Sequence, residues 1–231
     1  MLRLRLGGSS NGCRKILCLG AHCDDIEIGC GGTILRLLDQ DPSLEITWIV
    51  FSSTPPRGRE ALQSARFFLK RARRHKIIVK NYRDGFFPYQ GGQIKKFFEG
   101  LKKDLSPDLI FTHYRVDLHQ DHRLISELTW NTFRNHFVLE YEVPKYDGDL
   151  GSPNFFVGLD ETTSQRKIQK ILDCFASQRK RPWFTEETFR ALLRIRGIES
   201  NVSGSYAEAF YCRKIVLDDG ALLSHLKLGS P

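Results

Sequence analysis

The sequence predicts an α/β fold: a Rossmann-like parallel sheet flanked by helices on both faces, with a smaller C-terminal α/β extension. Two observations predict it. Short β-branched apolar runs alternate with helical apolar stripes through the first half of the chain, and such β-α-β-α order implies parallel strands joined by crossover helices. The length of 231 residues, with 41% apolar residues, suits one large domain over 1–231.

Taken in order, Ile16–Gly20 is an apolar strand, and Gly31–Gln40 begins a helix through Ile34, Leu35, Leu37 and Leu38 that Asp41-Pro42 ends. Leu44–Phe51 alternates and is β-branched, which predicts the second strand. Ser52–Gly58, with two prolines, is a loop. Glu60–Arg74 places Ala61, Leu62, Ala65, Phe68, Leu69 and Ala72 on one helical stripe. Ile77–Val79 begins the third strand, and Asp84-Gly85 is a turn. Ile94, Phe97, Phe98 and Leu101 mark the next helix, stopped by Ser106-Pro107, and Leu109–Thr112 is the fourth strand.

A helix from Arg123 to about Phe133 follows, and the Pro-, Gly- and Asp-rich region Glu140–Gly158 reads as loop with short strands. Ile168, Ile171, Leu172 and Phe175 mark another helix. Thr185 with Glu186-Glu187 opens a last one, running to Arg196 with Gly197 as its stop, and Ala209–Leu217 reads as the final strand. Residues 1–12 form a basic, Gly/Ser-containing stretch without the apolar core of a signal peptide, and are expected to be a flexible arm. Residues 218–231 are expected to be a tail.

No apolar run approaches the roughly 20 residues a membrane helix requires, so no membrane span and a cytoplasmic location are expected. The six cysteines (Cys13, Cys18, Cys23, Cys30, Cys174 and Cys212) form no C-x-x-C pair, which speaks against a zinc ribbon or a thioredoxin-type motif and for reduced thiols. Formal net charge is +8, much of it between Arg66 and Lys76 and between Arg166 and Arg181. Solvated helix faces account for such runs, and no helix-turn-helix, zinc-finger or base-stacking signature accompanies them, so no nucleic acid is expected as a partner.

The chemistry concentrates in two clusters. His22, Asp24 and Asp25 follow the first strand directly, and His113, Asp117, His119, Asp121 and His122 follow the fourth. Ionisable groups this dense at strand ends are costly unless something there needs them, and a bound cation would. Ligands in parallel α/β sheets sit beyond the carboxyl ends of the strands, so the fold brings both clusters to one edge although almost 100 residues separate them. A catalytic zinc takes three protein ligands and keeps one open position; two histidines and one carboxylate meet that count, leaving other groups to act as base, orienting partner and polarising group. The Gly29-Cys30-Gly31-Gly32 run lacks the G-x-G-x-x-G spacing of a dinucleotide site.

These residues resemble the LmbE-like, PIG-L-type zinc-dependent N-deacetylases, which act on N-acetylglucosamine-containing substrates. The family's first motif is A-H-P-D-D, where this chain has Ala21-His22-Cys23-Asp24-Asp25. Its second ends in D-x-H-x-D-H, and His113 through His122 match it. Arg57 with Glu60, and Arg196-Gly197 followed by Tyr206 to Phe210, are weaker echoes. The resemblance covers about Lys15 to Val216. It implies zinc, or another divalent metal, on His22, Asp25 and His122. Asp24 would be the general base. His119, as a cation, would hold the oxyanion, with Asp121 fixing its orientation or charge state. Arg57 would contact substrate, and Arg59 is near enough in sequence to compete for that role. His113 and Asp117 would support the loop, and Glu208 would pair with a basic group near the site. The substrate would be a small N-acetylated amino sugar, with the positive charge favouring an anionic aglycone, and members are often homo-oligomers.

One residue departs from the pattern: Cys23 replaces a proline that would stiffen the turn. Cys23 either points away or makes the site redox-sensitive. Two other functions stay open on the residues alone: a different metallohydrolase such as a phosphoesterase, and an inactive basic binding module of the same fold.

Overall fold

The computed structural model describes residues 14–216. The expectations of a flexible arm over 1–12 and a tail over 218–231 lie outside the described residues. Seven strands form one sheet in the order β3-β2-β1-β4-β5-β7-β6. They are β1 (Lys15–Gly20), β2 (Glu45–Val50), β3 (Arg74–Val79), β4 (Leu109–His113), β5 (Phe137–Tyr141), β6 (Phe155–Leu159) and β7 (Tyr206–Cys212). The first five run parallel, and β7 is antiparallel to both β5 and β6. The six helices are α1 (Asp25–Gln40), α2 (Pro55–Phe68), α3 (Gly91–Asp104), α4 (Gln120–Thr132), α5 (Glu161–Cys174) and α6 (Glu186–Ser200).

Strand alternation builds a core on each face. Ile16, Cys18, Ile46, Trp48, Val50, Leu109 and Phe111 turn to one side, where they meet Ile34 and Leu38 of α1, Ala65 and Phe68 of α2, and Ile168 and Ile171 of α5. Leu17, Leu19, Ile49, Phe51, Ile110 and Val138 turn to the other, against Ile94, Phe98 and Leu101 of α3 and Ile125 of α4. A strand buried on both faces reads as a continuous apolar run, which is why β1 and β4 stood out in the sequence, while β2, with Glu45 and Thr47 only partly buried, stood out by its alternation.

Several boundaries differ from expectation. The first helix begins at Asp25, not Gly31, so the second aspartate of the first cluster opens α1. Gly29 is tolerated in its first turns because the helix lies directly on Tyr141; a Cβ there would come 2.1 Å from the ring. Helix α2 starts at Pro55, where proline suits a first turn, and ends at Phe68, with Leu69 and Ala72 buried in the turn that follows. Strand β5 was not foreseen. Helix α6 runs through Gly197 and stops at Asn201, which takes the left-handed conformation at φ 50°. Gly197 serves close approach instead: a Cβ on it would lie 2.1 Å from the backbone oxygen of Ser205. The last strand starts earlier than expected and ends at Cys212, and Leu217 lies outside the described residues.

The strand order reverses at β1. The chain proceeds outward through β2 and β3, then returns to place β4 on the other side of β1. At such a switch point the loops leaving the two central strands diverge and open a crevice. The loops leaving β1 and β4 carry the two ionisable clusters.

Candidate metal centre

β1 hands directly to His22, and Asp24 is the N-cap of α1. β4 ends at His113; a loop stitched by Asp117 then leads to His119, the N-cap of α4, and His122 falls in that helix's first turn. Both helices thus begin at the crevice, with their N-terminal dipoles aimed at carboxylates.

Three atoms converge there. His22 Nδ1 is 3.1 Å from His122 Nε2 and 3.3 Å from Asp25 Oδ2, and those last two are 3.5 Å apart. A tetrahedral ion with ligand bonds of about 2.0–2.1 Å has edges of about 3.3–3.4 Å, so the donor set fits one zinc-sized cation. All three residues are nearly buried: His22 is 8% exposed, Asp25 4% and His122 2%.

Other ligand combinations also occur. His113 lies beside Asp25 and His122, His119 beside His22 and His122, and Asp84 with Asp121 beside His22. These sets include atoms already committed elsewhere. His113 Nε2 accepts the N–H of Ala21 at 2.9 Å, and a ring nitrogen that accepts has no lone pair left for a cation. His119 Nδ1 accepts the N–H of Asp121 at 3.2 Å. The Asp121 carboxylate takes the N–H groups of Gly85 (2.7 Å) and Phe87 (3.0 Å).

The surroundings orient the three donors. His122 Nδ1 lies 2.9 Å from Asp117 Oδ2, which also meets Lys145 Nζ at 3.0 Å. Burial and the neighbouring His113 push His122 down to about 3, with Asp25 and Asp117 opposing, so its ring is neutral and its Nε2 free to bind. Asp25 Oδ2 accepts the N–H of His22 at 2.6 Å. On the other side of the His22 ring, Nε2 is 3.1 Å from Asp84 Oδ1 and 3.2 Å from Asp121 Oδ2. Burial resists a charge on His22, but the carboxylates of Asp25, Asp121 and Asp84 hold its pKa well above the usual value.

Asp24 sits beside the converging atoms, 4% exposed, and its Oδ1 accepts from Arg57 Nη2 at 2.9 Å. Burial pushes its carboxyl up to about 6, with Arg57 pulling down and Asp25 pushing up. Arg57 projects from the first turn of α2, and Arg59 is exposed, so the arginine of the site is Arg57.

The model of the GlcNAc-PI de-N-acetylases, PIG-L, matches residues 17–133, just over half the chain. The chain belongs to the PIG-L family. The matched span covers every residue of the two clusters. The chain is similar to the uncharacterized deacetylase YaiS of Escherichia coli, with 29% identity over 146 residues that cover 59% of this chain and 77% of that protein. Among solved structures it resembles the N,N'-diacetylchitobiose deacetylase of Pyrococcus horikoshii, at 23% identity and a TM-score of 0.67, covering 86% and 83% of the two chains. It also resembles GalB, the 4-carboxy-2-hydroxymuconate hydratase of Pseudomonas putida, at 15% identity and a TM-score of 0.69, covering 89% and 98%. One fold therefore carries more than one reaction, and the activity has to be argued from the site.

Within this PIG-L framework some placements differ from the sequence reading. The Asp121 carboxylate faces His22, not the His119 ring; only its backbone N–H reaches His119. The first turn of α4 aims that side chain at the loop after β3. His119 is neutral, not cationic: a ring whose Nδ1 accepts an N–H carries its one proton on Nε2, and burial and His22 both lower its pKa. Asp84 was read only as part of a turn, and its place at the carboxyl end of β3 was the available signal. Asp117, given a supporting role, orients His122 directly. Glu208 does meet a basic group: its Oε1 is 2.7 Å from Lys167 Nζ, and its two oxygens accept the N–H groups of Gly32 and Thr33.

Cys23 points away from the three donors. Its Sγ donates to the Ser52 carbonyl at 3.3 Å, the side chain has no exposure, and burial, against the pull of Arg57, pushes the thiol up to about 12. A protonated, enclosed thiol is a poor ligand and a poor nucleophile. In the folded protein Cys23 is expected to resist a thiol reagent that modifies the partly exposed Cys212, and to react after unfolding. Peptide mapping after timed labelling checks this, and equal rates at the two positions would contradict it.

Proposed function

We propose that this protein is a zinc-dependent hydrolase that removes the acetyl group from an N-acetylated amino sugar, a glycoside of the N-acetylglucosamine type. The observation that carries this reading is the convergence of His22 Nδ1, Asp25 Oδ2 and His122 Nε2 to mutual distances of 3.1–3.5 Å, with the Asp24 carboxylate beside them. Membership of a deacetylase family supports it.

His22, Asp25 and His122 would hold the metal, which, when bound, supplies a Lewis acid that makes water a nucleophile near neutral pH. Asp24 takes a proton from the attacking water as its oxygen bonds to the acetyl carbonyl carbon. Arg57 fixes the Asp24 carboxylate through its 2.9 Å bond and keeps it aimed at the crevice. The carbonyl oxygen gains negative charge, and His119 donates to it from Nε2 as a neutral imidazole. The carbon–nitrogen bond then breaks, and Asp24 returns its proton to the leaving amine. The products are acetate and the free amino sugar. The carboxylate–histidine contacts of Asp117 and Asp121 hold the rings of His122 and His22 in register throughout.

The zinc-loaded chain is expected to release acetate and a free amine in equal amounts from simple N-acetylglucosaminides. Quantifying both products tests this. No acetate from any such glycoside, with zinc bound, would overturn the reading.

A further inference from the structure

The loop between β4 and α4 has no regular structure of its own, yet it delivers His119 and His122 to the crevice. Asp117 holds it in shape. Its Oδ1 accepts the N–H of His119 at 2.8 Å, and its Oδ2 lies 2.9 Å from His122 Nδ1. With His122 Nε2 free to bind a cation, Nδ1 carries the ring's proton and donates it to that oxygen. The same Oδ2 lies 3.0 Å from Lys145 Nζ, so one carboxylate oxygen serves both the metal ligand and a lysine.

Lys145 comes from a different part of the chain, the segment 142–154 between β5 and β6. Its side chain is 9% exposed. Its Nζ also meets Asp149 Oδ2 at 2.5 Å, and that oxygen accepts the N–H of Leu118 at 2.7 Å. The segment after β5 therefore grips the loop after β4 at two successive residues, Asp117 and Leu118. The base of the segment is fixed in turn. Arg196 of α6 donates from Nε and Nη2 to the two oxygens of Glu142, both at 2.7 Å, and from Nη2 to the Gly151 oxygen at 3.1 Å. A two-pronged guanidinium–carboxylate pair sets direction as well as distance. Arg196 stood out in the sequence without a place in the site; here it clamps the stretch that presents Lys145.

We infer that Lys145 is a positioning residue for the metal centre: it acts through Asp117 on His122, and so makes zinc affinity depend on the segment after β5. The inference rests on the assignment of His22, Asp25 and His122 as the metal's ligands. The bond from Lys145 keeps Asp117 Oδ2 turned to His122 Nδ1. Without it the carboxylate is free to rotate, and the ring loses the fixed acceptor that sets its tautomer and plane.

The test is the zinc Kd of the full chain, measured by competition with a chromogenic zinc chelator, with circular dichroism on each sample to establish folding. Lys145→Met is expected to raise the Kd by about tenfold or more, the range for losing a group that orients a ligating histidine. In an Asp117→Asn background the same substitution is expected to change the Kd by no more than about twofold, because the path runs through Asp117; a lysine that merely held the loop would give additive losses. Asp149→Asn with Lys145→Met removes one carboxylate along with the ammonium and so strands no extra charge. Compared with Asp149→Asn alone, it is expected to show the same tenfold loss, which keeps the test open if Lys145→Met by itself does not fold. A Kd within about twofold of the parent's in either folded pair, or an equal loss with Asp117→Asn present, overturns the inference while the metal centre stands. No zinc bound by the wild type overturns the centre and the inference together.

Discussion

Asp24→Asn is expected to lower kcat by about 10²- to 10⁴-fold, the usual worth of a positioned general base, while leaving bound metal unchanged. The two halves of that expectation come from different atoms. Asparagine cannot take a proton from water, so the chemical step loses its base. It is close to isosteric, and its oxygen can still accept from Arg57 Nη2, which lies 2.9 Å from Asp24 Oδ1, so α2 keeps its anchor at the crevice. The Asp24 carboxylate is not one of the three converging donors, so the metal keeps all its proposed ligands. Initial rates on an N-acetylglucosaminide, with metal content measured on the same sample, check both halves. An unchanged rate would remove Asp24 from the mechanism; a metal lost with the activity would make it a ligand.

The largest expected stability effect lies outside the site. Lys167→Met should destabilise the fold by about 3–5 kcal/mol, the cost of stranding one partner of a buried ion pair. Lys167 is 2% exposed, and its Nζ meets Glu208 Oε1 at 2.7 Å and the Ile28 oxygen at 2.6 Å. Glu208 in turn accepts the N–H groups of Gly32 and Thr33 at 2.7 Å and 2.6 Å. The cluster pins α1 to both α5 and β7, and removing the ammonium leaves a carboxylate with no counter-charge 3% exposed. Adding Glu208→Gln should recover part of the loss, because the amide oxygen can still accept a backbone N–H and no charge remains. Urea unfolding of the single and double variants checks this, and a single variant within about 0.5 kcal/mol of wild type would contradict it.

The central strands β1 and β4 were legible because burial on both faces leaves apolar runs, and β2 was legible from its alternation and β-branched residues. Strand β5 was not: Phe137–Tyr141 is short and carries Glu140, whose carboxylate pairs with Arg213 and Trp130, partners that no local pattern reveals. The start of α1 was hidden because the Gly-rich run Gly29 to Gly32 reads as the entry to the helix, whereas Gly29 lies inside it and lets the helix rest on Tyr141. In the site, His22, Asp25 and His122 could be placed together from strand-end logic and the family resemblance. The partners that orient them could not. Asp84 reaches His22 from the loop after β3, and Lys145 reaches Asp117 from the loop after β5. Asp121 was assigned to His119 on the family resemblance, but the first turn of a helix sends its carboxylate to Gly85 and Phe87. Sequence density shows where chemistry gathers; which atom faces which depends on loops brought together by the sheet.

Metal content of the purified chain after zinc loading, wild type beside His122→Ala, tests the centre most directly. About one zinc per wild-type chain, lost from the variant while its circular dichroism is unchanged, is the expected result. No zinc in the wild type, or the same content in both, would contradict the assignment of His22, Asp25 and His122 as the metal's ligands.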